Sequence, residues 1–399
     1  MRSARNVLAA LLLLLAPLGA AAPAAAHTTP PRDPQAALAP LVTTTEAIPD
    51  RYIVTLKDGV EPASVTAAVP KVTPRFTYTS VLHGFAAELT GRQLSAVRGL
   101  PGVEAVHQDG LVTATDAGER FTPRTPAATW GLNRINQRNL PLNGRYDVSG
   151  TGAGVNAYVV DTGIDFQHAE FDSGRAVPGF DAVGDGRNGQ DCHGHGTHVA
   201  GTIGGATYGV AHKANLIAVR VLGCDGRGSN SAIIAGFDWV ALHAQQPAVM
   251  NASLGGARSM LTDRAVNRVA EQGIAPVVAA GNDAQDACDV SPAGAERAIT
   301  VGATDINDNE AGFSNFGKCV AIYAPGVGIV SAKAGGGTVS LNGTSMASPH
   351  VAGVAVLLKE AYPRATAEDV RLWIGERSTS GALNVSKTSP NKLLYTGGL

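Results

Sequence analysis

Val155-Asn-Ala-Tyr-Val-Val160 runs directly into Asp161-Thr-Gly-Ile164, and this stretch decides how the chain is read. A strand with one solvated face alternates apolar and polar residues, whereas an almost unbroken apolar run belongs to a parallel strand buried on both faces. Leu216–Val221, Ala248–Ala252 and Ile274–Ala279 repeat that pattern, and helical periodicity fills 231–244 and 259–272 between them. Alternating strands and helices predict an α/β domain with a doubly wound, mostly parallel sheet. Such a sheet presents functional groups at the carboxyl ends of its strands. No fixed period recurs along the chain, which sets solenoids and propellers aside.

Working upstream, the pattern changes. Tyr52–Leu56, Arg75–Thr79, Gly84–Leu89 and Val103–His107 read as strands, Pro62–Val69 as a short helix, and 90–100 as a second helix with one apolar face at 94, 97 and 100. The order β-α-β-β-α-β predicts a small ferredoxin-like α+β domain over about 51–109. Residues 27–50, rich in Pro, Ala and Thr, read as a flexible lead-in, and 109–128 as a polar linker. At the start, Arg2 and Arg5 precede an apolar run from Val7 to Leu18, and Ala24-Ala-Ala26 supplies small residues for cleavage. This predicts a secretory signal peptide over 1–26, because the run is shorter than the roughly 20 residues a membrane span needs. The processed protein is therefore expected outside the cell, secreted and with no membrane association.

The 399 residues carry 31 Lys+Arg against 33 Asp+Glu, with no basic run, which argues against a nucleic-acid partner. Forty-eight glycines point to many tight turns and close backbone approaches. Cys192, Cys224, Cys288 and Cys319 are an even set in an exported chain, so disulfides are expected over free thiols. Spacing alone allows three pairings; the sequential one, 192 with 224 and 288 with 319, is the expectation. Zinc is disfavoured, since no C-x-x-C spacing occurs.

Candidate chemistry sits in four short motifs. Asp161 follows a strand and precedes Gly163, a place for a functional carboxylate but also for an ordinary turn. His195-Gly-Thr-His-Val-Ala-Gly-Thr202 offers an imidazole at a helix start; a zinc pair is the competing reading, but the Glu of an H-E-x-x-H motif is absent. Asn342-Gly-Thr-Ser345 precedes a helical run, with Pro349 read into its first turn, so Ser345 is either a helix cap or a reactive hydroxyl near backbone N–H groups. Asn282 ends the strand from Ile274 and brings an amide to the same sheet edge. Ser253-Leu-Gly-Gly256 also follows a strand, and its bare backbone suits an extended peptide.

Together the motifs V-V-D-T-G-I, H-G-T-H-V-A-G-T and G-T-S-M-A-S-P-H-V-A-G, in the order Asp, His, Ser, resemble those of the subtilisin-like serine peptidases from about Trp130 to Tyr395. W-G-L-N-R-I and the cysteine spacing are similar to the proteinase K and aqualysin branch, and the small upstream domain resembles that family's inhibitor-type propeptide. The resemblance implies a secreted serine endopeptidase made as a self-processing zymogen: propeptide 27–122, peptidase domain 123–399. It implies Ser345 as nucleophile, His195 as general base, Asp161 as the orienting carboxylate, and Asn282 with the Ser345 N–H as the oxyanion hole. Gly228, Ser229, Ser253, Leu254, Gly255 and Gly256 would flank a bound polypeptide substrate. The propeptide would be an intramolecular inhibitor, and the mature enzyme a monomer of broad specificity.

No cofactor is required for that chemistry. Structural calcium is expected to be weak or absent, because Asn133, Asn136, Asn139 and Ala321 stand where relatives carry Asp. The pocket beyond Asn282, through 284–290, contains no single residue that dictates a side chain, although Asp286 or Asp289 would favour basic residues. His193 departs from the Asn common in relatives. A catalytically silent binding protein on the same scaffold is the main competing reading; labelling of Ser345 by a serine-directed phosphonate separates the two.

Overall fold

The computed structural model describes residues 38–115, 130–386 and 388–399. The expected signal peptide, the first part of the lead-in and the segment 116–129 lie outside them. No helix among the described residues is long and apolar enough to cross a membrane.

The upstream unit comprises β1 (Leu41–Val42), β2 (Ala47–Leu56), α1 (Pro62–Ala68), β3 (Pro74–Tyr78), β4 (Gly84–Glu88), α2 (Gly91–Arg98) and β5 (Val103–Ala114). β2 lies between β4 and β5 and is antiparallel to both, and β3 pairs with β4. Proline starts α1, where its missing N–H has no helical partner to lose. A capping box starts α2: Thr90 Oγ1 accepts the Gln93 N–H, and Gln93 Oε1 accepts the Thr90 N–H. Val54, Val65, Phe85, Val97 and Val106 close the core between helices and sheet.

Two sequence expectations fail at the borders of this unit. The lead-in is ordered from Leu38, and β1 pairs with β5 in parallel, Leu41 opposite Val106. β5 does not stop at His107 but continues through the supposed linker to Ala114. The cause is non-local: beyond Gly110 its pairing partners are strands of the following domain.

That domain contains α3 (Trp130–Ile135), β6 (Asn156–Asp161), β7 (Ala176–Asp181), α4 (His195–Gly204), β8 (Asn215–Arg220), β9 (Arg227–Ser229), α5 (Asn230–His243), β10 (Ala248–Ala252) and β11 (Leu254–Ala257). It continues with α6 (Met260–Glu271), β12 (Ala275–Ala279), β13 (Val290–Ser291), β14 (Ile299–Thr304), β15 (Ile322–Pro325), β16 (Ile329–Ala332), β17 (Thr338–Leu341), α7 (Thr344–Ala361), α8 (Ala367–Arg377), β18 (Thr379–Ser380) and β19 (Lys392–Leu393). The main sheet runs β7-β8-β6-β10-β12-β14-β15-β19-β18, parallel except for its last pair. From β6 the chain first builds β7 and β8 on one side and then β10 to β15 on the other. The carboxyl ends of β6 and β10 therefore border the switch point, where an open α/β sheet forms its crevice. Helix α7 lies against β10, β12 and β14 with Val351, Val354 and Leu358 buried, which explains why it is apolar nearly all round.

A second sheet, β13-β11-β5-β2-β4-β3, joins the two units through β5. Tyr78, Val81, Leu82 and Val112 share one apolar cluster with Ile233, Ile234 and Phe237 of α5. Polar contacts reinforce it: Asp238 accepts the Ser80 and Val81 N–H groups at 2.7 and 2.8 Å, and Tyr78 Oη donates to the Ser231 carbonyl at 3.0 Å. Disulfides join Cys192 to Cys224 and Cys288 to Cys319.

Candidate active site

Asp161 ends β6 fully buried, and its Oδ1 lies 2.7 Å from His195 Nδ1 and accepts the Thr162 N–H at 2.7 Å. His195 is the first residue of α4, and its approach is set by Asp191. One Asp191 oxygen accepts the N–H groups of His193 and Gly194 and the Thr162 hydroxyl, each at 2.9 Å; the other accepts the Thr197 N–H at 3.0 Å and its hydroxyl at 2.6 Å. Thr162 Oγ1 in turn accepts the Gly196 N–H at 2.9 Å. At Gly196 a Cβ would lie 2.2 Å from the Gly163 carbonyl oxygen, so the two turns can meet only through glycine. Sequence reading missed Asp191 and Thr162, although both flank recognised motifs and are common turn formers.

Ser345 is the second residue of α7. Its Oγ donates to the Ser253 carbonyl at 3.1 Å, and its own carbonyl accepts from Ser253 Oγ at 3.0 Å. The second bond corrects the reading of Pro349. That proline stands inside α7, not in its first turn, and lacks the N–H that would bond the carbonyl four residues earlier. That carbonyl is Ser345's, and the Ser253 hydroxyl supplies the missing donor. Asn251 Nδ2 donates to Ser253 Oγ at 3.0 Å and Asn251 Oδ1 accepts from Ser348 Oγ at 2.7 Å, tying the end of β10 to α7. Asn282 is anchored through Oδ1, which accepts the Thr344 N–H at 2.9 Å and its hydroxyl at 2.8 Å, leaving Nδ2 to point elsewhere.

Its target is the upstream unit's own chain. Leu111, Val112 and Thr113 of β5 pair antiparallel with Ser229, Gly228 and Arg227, while Val112, Thr113 and Ala114 pair with Gly256, Gly255 and Leu254 on the other edge. The Ala114 N–H donates to Gly226 at 2.9 Å. Next, the Thr115 carbonyl accepts from Asn282 Nδ2 at 2.7 Å, and Thr115 Oγ1 stands 2.5 Å from Ser345 Oγ. A cavity of about 860 Å³ opens beside it, bordered by Ala280, Asn282, Asp289, Val290 and Phe313. Asp289 thus faces the cavity, whereas Asp286 turns its carboxylate to the Cys288 N–H at 2.8 Å. A buried carboxylate on an imidazole, a serine hydroxyl at a helix start and an amide donor on a carbonyl are the groups acyl transfer uses.

Comparison with known proteins agrees with this geometry. Residues 152–391, well over half the chain, match the Subtilase family. The chain belongs to the subtilase family. Residues 70–115 match the peptidase inhibitor I9 family, so this subtilase carries an inhibitor-type unit ahead of a serine peptidase domain. It is 46% identical over 383 residues to an extracellular serine proteinase of Thermus sp. (strain Rt41A), covering 88% of this chain and 90% of that one. It is 43% identical to alkaline serine exoprotease A of Vibrio alginolyticus, covering 88% of this chain and 68% of that one. A crystal structure of a cold adapted subtilisin-like serine proteinase superposes with a TM-score of 0.66 at 47% identity, covering 67% of this subtilase and 97% of that chain.

Of the positions on which the calcium expectation rests, the buried Asn133 side chain in this subtilase donates its NH2 to Asn143 Oδ1 and the Arg145 carbonyl, 2.6 and 2.5 Å away, and its Oδ1 accepts the Gly144 N–H at 3.0 Å. Ala321 offers no side-chain ligand. Among the described residues, the one cluster of three ligand-type side chains is Asp185 with Cys192 and Cys224, whose sulfurs are already bonded to each other.

Proposed function

We propose that this subtilase is a secreted serine endopeptidase made as a zymogen that cuts itself after Thr115. The observation that carries this reading is the position of Thr115, its carbonyl on Asn282 Nδ2 and its hydroxyl against Ser345 Oγ, at the end of a strand held on both edges. In the first step Ser345 Oγ attacks the Thr115 carbonyl carbon while His195 Nε2 takes the hydroxyl proton. Asp161 Oδ1 holds Nδ1 and favours the imidazolium. The developing oxyanion receives hydrogen bonds from Asn282 Nδ2 and the Ser345 N–H at the positive end of α7. The Thr115–Asp116 bond then breaks, the Asp116 nitrogen takes the proton from His195, and water hydrolyses the Thr115 ester by the same route in reverse.

The released Thr115 carboxylate leaves the tail in place as a product-like inhibitor, and exogenous polypeptides later use the same edges, Gly228–Ser229 and Ser253–Gly256. This puts the boundary at 115, upstream of the 122 expected from the sequence. The parallel sheet, with its non-local contacts, folds slowly, which gives the inhibitor unit a task during folding as well. Catalytic chemistry needs no cofactor on this reading, and one copy of the chain holds every group. Ser345→Ala in the full-length chain tests it: the variant should accumulate uncut, with peptidase activity down by about 10⁶-fold. N-terminal sequencing of the wild-type product should begin at Asp116. Cutting of the variant at the same bond without another protease present would refute self-processing.

A further inference from the structure

The upstream part of the tail marks a second place on the enzyme. Asp109 is 1% exposed; its Oδ1 accepts the Ser231 N–H at 2.9 Å and its Oδ2 accepts from Ser231 Oγ at 2.6 Å. Ser231 lies in the first turn of the 14-residue helix α5, whose cap, Ser229, accepts the Ala232 N–H at 3.2 Å and lies 2.9 Å from Ser231 Oγ. The first N–H groups of a helix have no partner within it and carry its positive end, and here a carboxylate from outside the helix supplies the acceptor. Gly110 passes close by: a Cβ there would lie 2.7 Å from Asn230 Nδ2. Ser229, Asn230 and Ser231 belong to the peptidase and remain when the inhibitor unit leaves.

Counted back from Thr115 as the first residue before the cut, Asp109 is the seventh and Gly110 the sixth. We propose that the start of α5 is a binding site for a short acidic side chain on polypeptide substrates, seven residues upstream of the bond that is cut. The inference rests on the reading above that the tail lies in the cleft as a substrate does. Within the zymogen, burial holds the Asp109 carboxyl above its usual range, because the inhibitor unit covers it with Arg51, Tyr52, Ala86, Ala87 and Glu88. An extended substrate lacks that cover. Its carboxylate keeps water on one side while making the same bonds to Ser231, so the desolvation cost falls and the binding does not.

Peptides spanning 109–115 and a few residues beyond, with Asp, Ala or Lys at the seventh position, test this on the self-processed enzyme. We expect kcat/KM for Asp to exceed that for Ala by about 3- to 10-fold, with Lys below Ala. Ser231→Ala should bring the Asp-to-Ala ratio close to one. Equal rates for the three peptides, or a ratio indifferent to Ser231→Ala, would overturn the site while leaving the self-processing reading intact. Failure of all three to be cut after threonine would overturn both.

Discussion

Two regions meet at Thr115, and they acquire their shape in different ways. Asp161, His195 and Ser345 stand at the end of a strand or the start of a helix and Asn282 just beyond β12, and the peptidase domain itself fixes them, through groups near in sequence, as Asp191 is to His193 and Gly194, and far, as Thr344 is to Asn282 and Ser253 to Ser345. The tail is held differently. Gly110 and the Leu111 N–H still pair with Ala47 and Glu46 of the upstream unit, but from Leu111 to Ala114 the strand pairs with β9 and β11, more than 100 residues away, and Val112 is buried among residues of the peptidase. The first region is a property of the scaffold, whereas the second is a conformation the scaffold imposes on whatever strand lies there. On the reading proposed above, a substrate would take that same conformation between β9 and β11.

The strongest way to break this comparison is to remove the group through which the scaffold holds the tail's carbonyl. Asn282→Ala should lower kcat by about 10²–10³-fold with KM little changed, because the amide matters most when the oxygen carries charge. Self-cleavage should slow in the same proportion. An equal rise in KM with kcat preserved would mean that Asn282 merely positions the strand. Acting from the other side, Val112→Asp places an unpaired carboxylate in an apolar cluster with Leu222, Ile233 and Leu254. After cutting, the inhibitor unit should leave about 100-fold faster, read as a shortened lag between chain cleavage and peptidase activity. An unchanged lag would show that backbone pairing alone retains the tail.

This contrast also accounts for what the sequence disclosed. The buried run 155–160 and its three counterparts announced a parallel sheet because burial on both faces removes polar residues locally. The motifs around Asp161, His195 and Ser345 were legible because each turn needs particular glycines and small residues within a few positions. Thr113-Ala-Thr115 carries no such mark. Its strand conformation depends on pairing with Arg227, Leu254 and Gly255, and a polar stretch of this kind reads as a linker until its partners are known. Pro349 misled for the related reason that its missing bond is made good by Ser253, 96 positions earlier in the chain. The ordered segment 38–46 was likewise invisible, since its contacts are with β5: the Leu111 N–H donates to the Glu46 carbonyl at 2.8 Å.

Acid sharpens the comparison, because it should act on the two regions with opposite sign. His198 and His350, both wholly buried beside the site, are held neutral by burial, with pKa values lowered to about 3 and about 4. His198 bonds the Ile329 carbonyl and His350 the Met346 carbonyl, each through one ring nitrogen. Both ionise near 6.5 once unfolded. Their contribution to stability is therefore complete above about 6.5 and declines as pH falls towards the folded values. At pH 4.5 the loss should be roughly 2 kcal/mol for each histidine, measurable as a lower denaturant midpoint of the mature enzyme than at pH 7. Asp109 behaves the other way. Burial in the zymogen raises its carboxyl, against the hydrogen bonds of Ser231 that lower it, so the cost of holding it buried is smallest below the ordinary carboxylate value and grows as pH rises through the raised one. Acidification should thus loosen the scaffold while tightening this part of the tail. The self-cut complex should release its inhibitor unit more slowly at pH 4.5 than at pH 7, and Asp109→Asn should flatten that dependence. Release that quickens on acidification in the wild type, with the enzyme still folded, would show that the scaffold's titration governs the tail as well and that the two regions are not independent.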